Sequence, residues 1–162
     1  MSDGFLFWYE SDWTPQRARE RVGRLDAAGL SLAYPGTGRI TAISPEGEQT
    51  PVDRPTLLRR AAVDAAAAFS FQYWLDVDID VFCTVERLAP DLVVQRLYLD
   101  GLTMRQTLLV IRIVQEEVRA AAGSTRGLIV DRTGGSVDKD WDAVIAIGDL
   151  VVFDPEGLLP AD

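Results

Sequence analysis

Hydrophobic and polar positions change their period several times along this chain, and each change marks an element. Phe5 to Glu10 is almost unbroken aromatic and aliphatic, which predicts a strand covered on both faces. Thr14 followed by Pro15 reads as an N-cap with proline at the first helical position. Ala18, Val22, Leu25 and Ala28 then recur at helical spacing until Gly29 stops the helix. Between Pro35 and Pro55 glycine and proline are frequent, and only Arg39 to Ser44 alternates well enough to predict a short strand. Thr56 is expected to cap a second helix running to about Ala67, with Leu58, Ala61, Ala62 and Ala65 as its apolar stripe and Arg60 pairing with Asp64.

From Phe69 the period becomes two. Phe69, Phe71, Tyr73 and Leu75 alternate with Ser70, Gln72 and Trp74, and after an acidic stretch Val81, Cys83 and Val85 alternate with Phe82, Thr84 and Glu86. This predicts a hairpin of Phe69–Leu75 and Val81–Leu88, followed by a strand over Val93–Leu99. Thr103 and Gln106 form a capping box for a helix reaching Ala122, with Leu108, Leu109, Ile111, Val114 and Val118 apolar. Gly127–Asp131 reads as a strand, Thr133–Ser136 as a loop, and Ala143–Ile147 and Leu150–Phe153 as two short strands. The pattern predicts an α+β fold, a mainly antiparallel sheet with about three helices packed on one face. One domain over residues 1–162 is expected, with a tail from about 154.

Composition removes several chemistries. The 162 residues contain no histidine, which excludes histidine acid/base catalysis, histidine-activated nucleophiles and histidine metal sites. Asp and Glu number 25 against 16 Lys and Arg, for a net charge of −9. That balance argues against nucleic acid and anionic membrane as partners; the acidic field suits either a basic protein partner or simple solubility. The charge is uneven, with the two helix-bearing stretches 14–68 and 101–130 each carrying +2 and the rest acidic. Cys83, the sole cysteine, sits among apolar neighbours and reads as a buried, inert thiol. With neither a basic leader nor an apolar run of about 20 residues, a cytoplasmic location is expected.

Three stretches carry candidate chemistry. In Trp74-Leu75-Asp76-Val77-Asp78-Ile79-Asp80, an extended chain would place three carboxylates on one side. They could bind a hard cation, form a solvated hairpin tip, or make an acidic tip with Trp74 as an aromatic anchor for a basic partner. Asp138, Asp140 and Asp142 around Trp141 repeat the acid-and-aromatic theme. Asp131-Arg132-Thr133-Gly134-Gly135 lacks the lysine and helix start of a phosphate loop, so Asp131 with Arg132 reads as a strand-end ion pair. The Trp8–Trp13 cluster reads first as core aromatics followed by a capping loop.

The run Phe71–Cys83, the Leu99-Asp100-Gly101-Leu102-Thr103 helix start, Gly127–Gly134 and Asp140-Trp141-Asp142 together resemble small actinobacterial proteins similar in character to immunity proteins of bacterial polymorphic toxin systems. The resemblance spans about residues 56–145. It implies an acidic cytoplasmic inhibitor that occupies a toxin domain, is not an enzyme and needs no cofactor or metal; it transfers no site residue. On the acid-and-aromatic pattern, the partner-binding candidates are Trp74, Asp76, Asp78, Asp80, Asp138, Asp140, Trp141 and Asp142. The competing readings are a divalent-metal enzyme built on Asp76, Asp78 and Asp80, and a structural or regulatory homo-oligomer.

Overall fold

Strand alternation decides how the layers are built. A computed structural model describes residues 4–63, 68–121, 123–147 and 150–160. Its elements in chain order are β1 (Phe5–Ser11), α1 (Pro15–Ala27), β2 (Ile40–Ile43), β3 (Gln49–Val52), α2 (Arg54–Val63), β4 (Phe69–Asp76), β5 (Ile79–Ala89), β6 (Leu92–Tyr98), α3 (Met104–Ala120), β7 (Thr125–Asp131), α4 (Trp141–Ala146) and β8 (Val151–Phe153). The strands form one sheet in the order β3-β2-β4-β5-β6-β1-β7-β8. Every neighbouring pair is antiparallel except β7 and β8, which run parallel across the α4 crossover. The fold is α+β, with a mixed sheet and four helices rather than three. Among the described residues no helix is long and apolar enough to cross a membrane.

β1 lies in the middle of the sheet and feeds two cores. Leu6 and Trp8 join Phe71, Cys83, Leu97 and Val130 on the face that α1, α2 and α3 cover. Phe5 and Tyr9 turn to the other face and cluster with Val94, Ile129 and the α4 residues Trp141 and Ile145. Two-sided burial is why this strand reads as continuous apolar sequence. Trp8 and Trp13 are core residues, their ring N–H groups donating to Thr125 Oγ1 and the Ala61 carbonyl.

The caps of α1 and α3 follow the sequence. Thr14 Oγ1 accepts from the Arg17 N–H, and Gly29 leaves the helix at φ 118°. Thr103 and Gln106 bond reciprocally across the first turn of α3. The buried stripe of α3 comprises Thr107, Val110, Ile111, Ile113, Val114 and Glu117; Leu108 falls outside it and is exposed.

Other boundaries correct the expectation. α2 begins at Arg54 because the Asp53 carboxylate takes the Thr56 N–H, so Thr56 lies inside the first turn. Residues 64–67, and with them the Arg60–Asp64 pair, lie outside the described residues. The Arg60 guanidinium sits 4.4 Å from the Phe69 ring centre. Ala143–Ile147 is not a strand: Asp140 caps α4, and Trp141 and Ile145 bury one face at i,i+4 spacing. An apolar run this short carries no period of its own, and the cap decides. β3 has no counterpart in the sequence pattern, since Gln49–Val52 has almost no apolar side and includes Pro51, which suits an edge strand. In the stretch after β8, Asp154 accepts from the Leu158 and Leu159 N–H groups, and both leucines pack on the larger core.

One polar group is enclosed within the helix-side core. Glu10 has 0% exposure; Arg21 Nε donates to both its oxygens at 2.8 and 3.0 Å, Gln95 Nε2 to Oε1 at 2.8 Å and Ser124 Oγ to Oε2 at 2.9 Å. Removing the carboxylate leaves Arg21 buried without its partner. Glu10→Ala is therefore expected to lower unfolding free energy by about 3–5 kcal/mol, read from urea denaturation. A loss below about 1 kcal/mol would contradict this account of the network.

Candidate functional site

The two faces of the sheet are covered unequally. Three helices lie on one face, whereas on the other the buried residues of α4 cluster with side chains of β1, β6, β7 and β8 and with Leu88 and Ala89 at the end of β5. Toward β4 and β5 that second face remains open. The antiparallel register places Trp74 opposite Asp80, Phe82 opposite Tyr98 and Thr84 opposite Arg96 there. Trp74, Phe82, Glu86, Arg96 and Tyr98 are all partly exposed, while Gln72 and Thr84 form a buried polar floor.

Aromatic rings run across this face. Phe82 and Tyr98 have ring centres 5.6 Å apart, and Tyr98 meets Phe7 edge-on at 6.2 Å. Arg96 lies 5.6 Å from the Phe7 ring centre and donates to Glu86 and Asp142, each at 2.7 Å. The Tyr9 hydroxyl donates to the other Asp142 oxygen at 2.6 Å; burial, then this bond, pushes the phenol well above its ordinary range. At the β4 end, Tyr34 meets Trp74 edge-on at 4.7 Å, and Ser31 bridges the Trp74 backbone in both directions. A cleft of about 380 Å³ opens beside them, lined by Tyr34, Arg39, Gln49, Gln72, Trp74 and Asp78 among others.

The three carboxylates of the hairpin tip do not share one side. The β4–β5 register shifts after Trp74, and Asp78 turns the chain at φ 61°. Asp76 accepts from the Val77 N–H, Asp78 from the Tyr34 hydroxyl and Asp80 from Gln72 Nε2. Among the described residues no three Asp, Glu or Cys side chains converge closely enough to hold a metal ion. Trp74 is half-buried, and its indole N–H is enclosed without a partner among the described residues.

The second acidic set is largely structural. Trp141 has 4% exposure; its ring lies 4.7 Å from Phe153 and its N–H donates to Ser136 Oγ, so it is a core residue rather than a surface anchor. Asp142 is half-buried and committed to Arg96 and Tyr9; Asp138 and Asp140 are both exposed, and Asp140 is engaged in the α4 cap. The structure thus gathers Trp74, Asp76, Asp78 and Asp80 at one end of the open face and brings Asp142 to its other border through Arg96. Asp138, Asp140 and Trp141 stand apart from it.

Asp131 does not pair with Arg132, which bridges to Glu156. Its carboxylate organises the following loop by accepting from Thr133 Oγ1, the Gly134 and Ser136 N–H groups and Ser136 Oγ. Burial alone would raise its pKa, but these bonds outweigh it and hold the group below the usual carboxylate range. Cys83 is enclosed, and burial pushes its thiol far up, away from thiolate chemistry.

Sequence reasoning missed Tyr34, Phe82, Arg96 and Tyr98. Phe82 and Tyr98 sit at the outward positions of their strands, where a large aromatic already breaks the apolar-in, polar-out pattern. Tyr34 lies in a loop, and nothing local signals that it reaches Trp74. Comparison with protein-family models, curated proteins and solved structures finds no match for the chain.

Two stability measurements check these assignments. Asp142→Ala unpairs both Arg96 and Tyr9 and is expected to cost about 1–3 kcal/mol, whereas Asp138→Ala stays within about 0.5 kcal/mol. Because the folded pKa of Asp131 is depressed, its contribution is complete above the unfolded value of about 3.9 and is lost as pH falls through the folded value. The stability gap between wild type and Asp131→Asn should accordingly shrink on acidification below about pH 4 in urea titrations, and a constant gap would refute the assignment.

Proposed function

We propose that this is an immunity-type binding protein that acts in the cytoplasm and neutralises a cognate bacterial toxin by docking a basic surface on the open half of its sheet. The observation that carries this reading is the aromatic row Trp74, Phe82 and Tyr98, left partly exposed on a face that helices cover only at the other end. Partly exposed rings flanked by carboxylates have the composition of interface anchors. Asp76, Asp78 and Asp80 beside the row, with the net charge of −9, supply long-range attraction for a basic partner.

Separate engagement of the three tip carboxylates favours this reading over a metal-dependent enzyme. Each carboxylate already serves its own turn, tyrosine or glutamine, so no preformed oxygen cage faces a cation. The buried thiol and the lack of histidine remove a cysteine nucleophile and any histidine-activated one.

Binding to the product of the neighbouring gene, and rescue of cells from its toxicity, test the proposal. Replacing Asp76, Asp78 and Asp80 together with Asn is expected to lower the association rate about tenfold at low salt and flatten its salt dependence. Asn tolerates the left-handed backbone at position 78. Phe82→Ala and Tyr98→Ala should instead raise the dissociation rate about 10–100-fold and abolish rescue of cells from the toxin. Unchanged kinetics in both sets would overturn the proposal.

A further inference from the structure

The helix layer carries a surface of opposite character to the hairpin tip. On α3, Met104 and Leu108 are 45% and 41% exposed although most large apolar side chains are buried. With Leu109, Arg105 and Arg112 they line an open groove of about 530 Å³ along α3. Both arginines are exposed, and neither pairs with a carboxylate among the described residues. The groove is thus lined by apolar side chains with two cationic ones among them.

The β4–β5 tip has the complementary pattern. Val77 is 49% exposed between Asp76 and Asp78, with Asp80 following, and none of these carboxylates has a cationic partner among the described residues. Tip and groove also occupy the same end of the molecule. Phe82, near the start of β5, opposes Tyr98 at the end of β6, and α3 starts shortly afterwards at Met104. Two surfaces that match each other and lie at one end can be satisfied twice over by a two-fold axis, which closes the assembly at two copies.

We propose that the protein forms a reciprocal dimer in which the Asp76–Asp80 tip of each copy sits in the Met104–Arg112 groove of the other. Val77 covers the apolar side chains, and the tip carboxylates approach Arg105 and Arg112. This inference does not rest on the toxin-binding reading. If both hold, the dimer and a basic partner compete for the same tip, and the dimer is the idle form.

Sedimentation equilibrium of the full chain, alone in solution, tests it. A concentration-dependent dimer is expected whose dissociation constant is about tenfold smaller at roughly 0.05 M than at roughly 0.5 M salt, since exposed charge pairs are screened over this range. Asp76→Arg with Asp80→Arg should be monomeric, because tip and groove then repel; Asp78 is left alone to keep its turn. Arg105→Glu with Arg112→Glu should be monomeric for the converse reason. An equimolar mixture of the two variants should regain a dimer, since one tip-and-groove pair again carries opposite charges in the native sense and the other carries them reversed. Val77→Ser, which alters no charge, should weaken wild-type association as well. A wild type of single-chain mass at all concentrations overturns the proposal, as does a dimer indifferent to these substitutions or a mixture that stays monomeric. No toxin is present in this assay, so its failure leaves the binding proposal to its own test.

Discussion

The carboxylate of Glu10 is the constraint on which the arrangement of layers depends. Withdrawing such a group from water costs several kcal/mol unless donors meet it, and each donor here comes from a different part of the chain. Arg21 projects from α1, Gln95 from β6 and Ser124 from the turn between α3 and β7. Their convergence fixes the rotation of α1, whose inward face must hold Arg21 together with Ala18, Val22 and Leu25. It also fixes β6 beside β1 and the point at which α3 gives way to β7. The helices are thereby held on one side, and the far side is left to the six residues of α4.

The open half of the sheet and the paired half follow from that asymmetry. Where α4 packs, polar groups at the outer face are consumed internally: Asp142 by Tyr9 and Arg96, Asp140 by a helix end, Trp141 by Phe153 and Ser136. Beyond its reach β4, β5 and the end of β6 present rings and carboxylates that stay partly open to solvent. Acid beside tryptophan is thus enclosed in one place on the chain and half-open in another: Trp141 is buried and Trp74 is not.

Much of the architecture was legible from period and caps. The hairpin, β6, α1 and α3 announced themselves because their alternation is long and their ends carry Thr-Pro, Gly or a capping box. Elements without an extended period were not legible: β3 is short and polar, and Ala143–Ile147 is too brief to distinguish three-residue from two-residue recurrence. Of the candidate site, the tip and Trp74 could be read locally, whereas Arg96 reaches Asp142 46 residues away and Tyr34 reaches Asp78 44 residues away. The separation of the three carboxylates depended on a register shift and one left-handed residue, which alternation alone does not reveal.

The central position of β1 has a consequence for synthesis. Its neighbours are β6 and β7, so Phe5–Ser11 emerges from the ribosome about 120 residues before Asp131, the last residue it pairs with. At roughly 5–20 residues per second this interval lasts about 6–24 s. For most of it, a strand rich in phenylalanine, tryptophan and tyrosine has neither hydrogen-bonding neighbour of the native sheet. This strand is therefore completed long after it is made, and until then its two edges are open to pairing elsewhere.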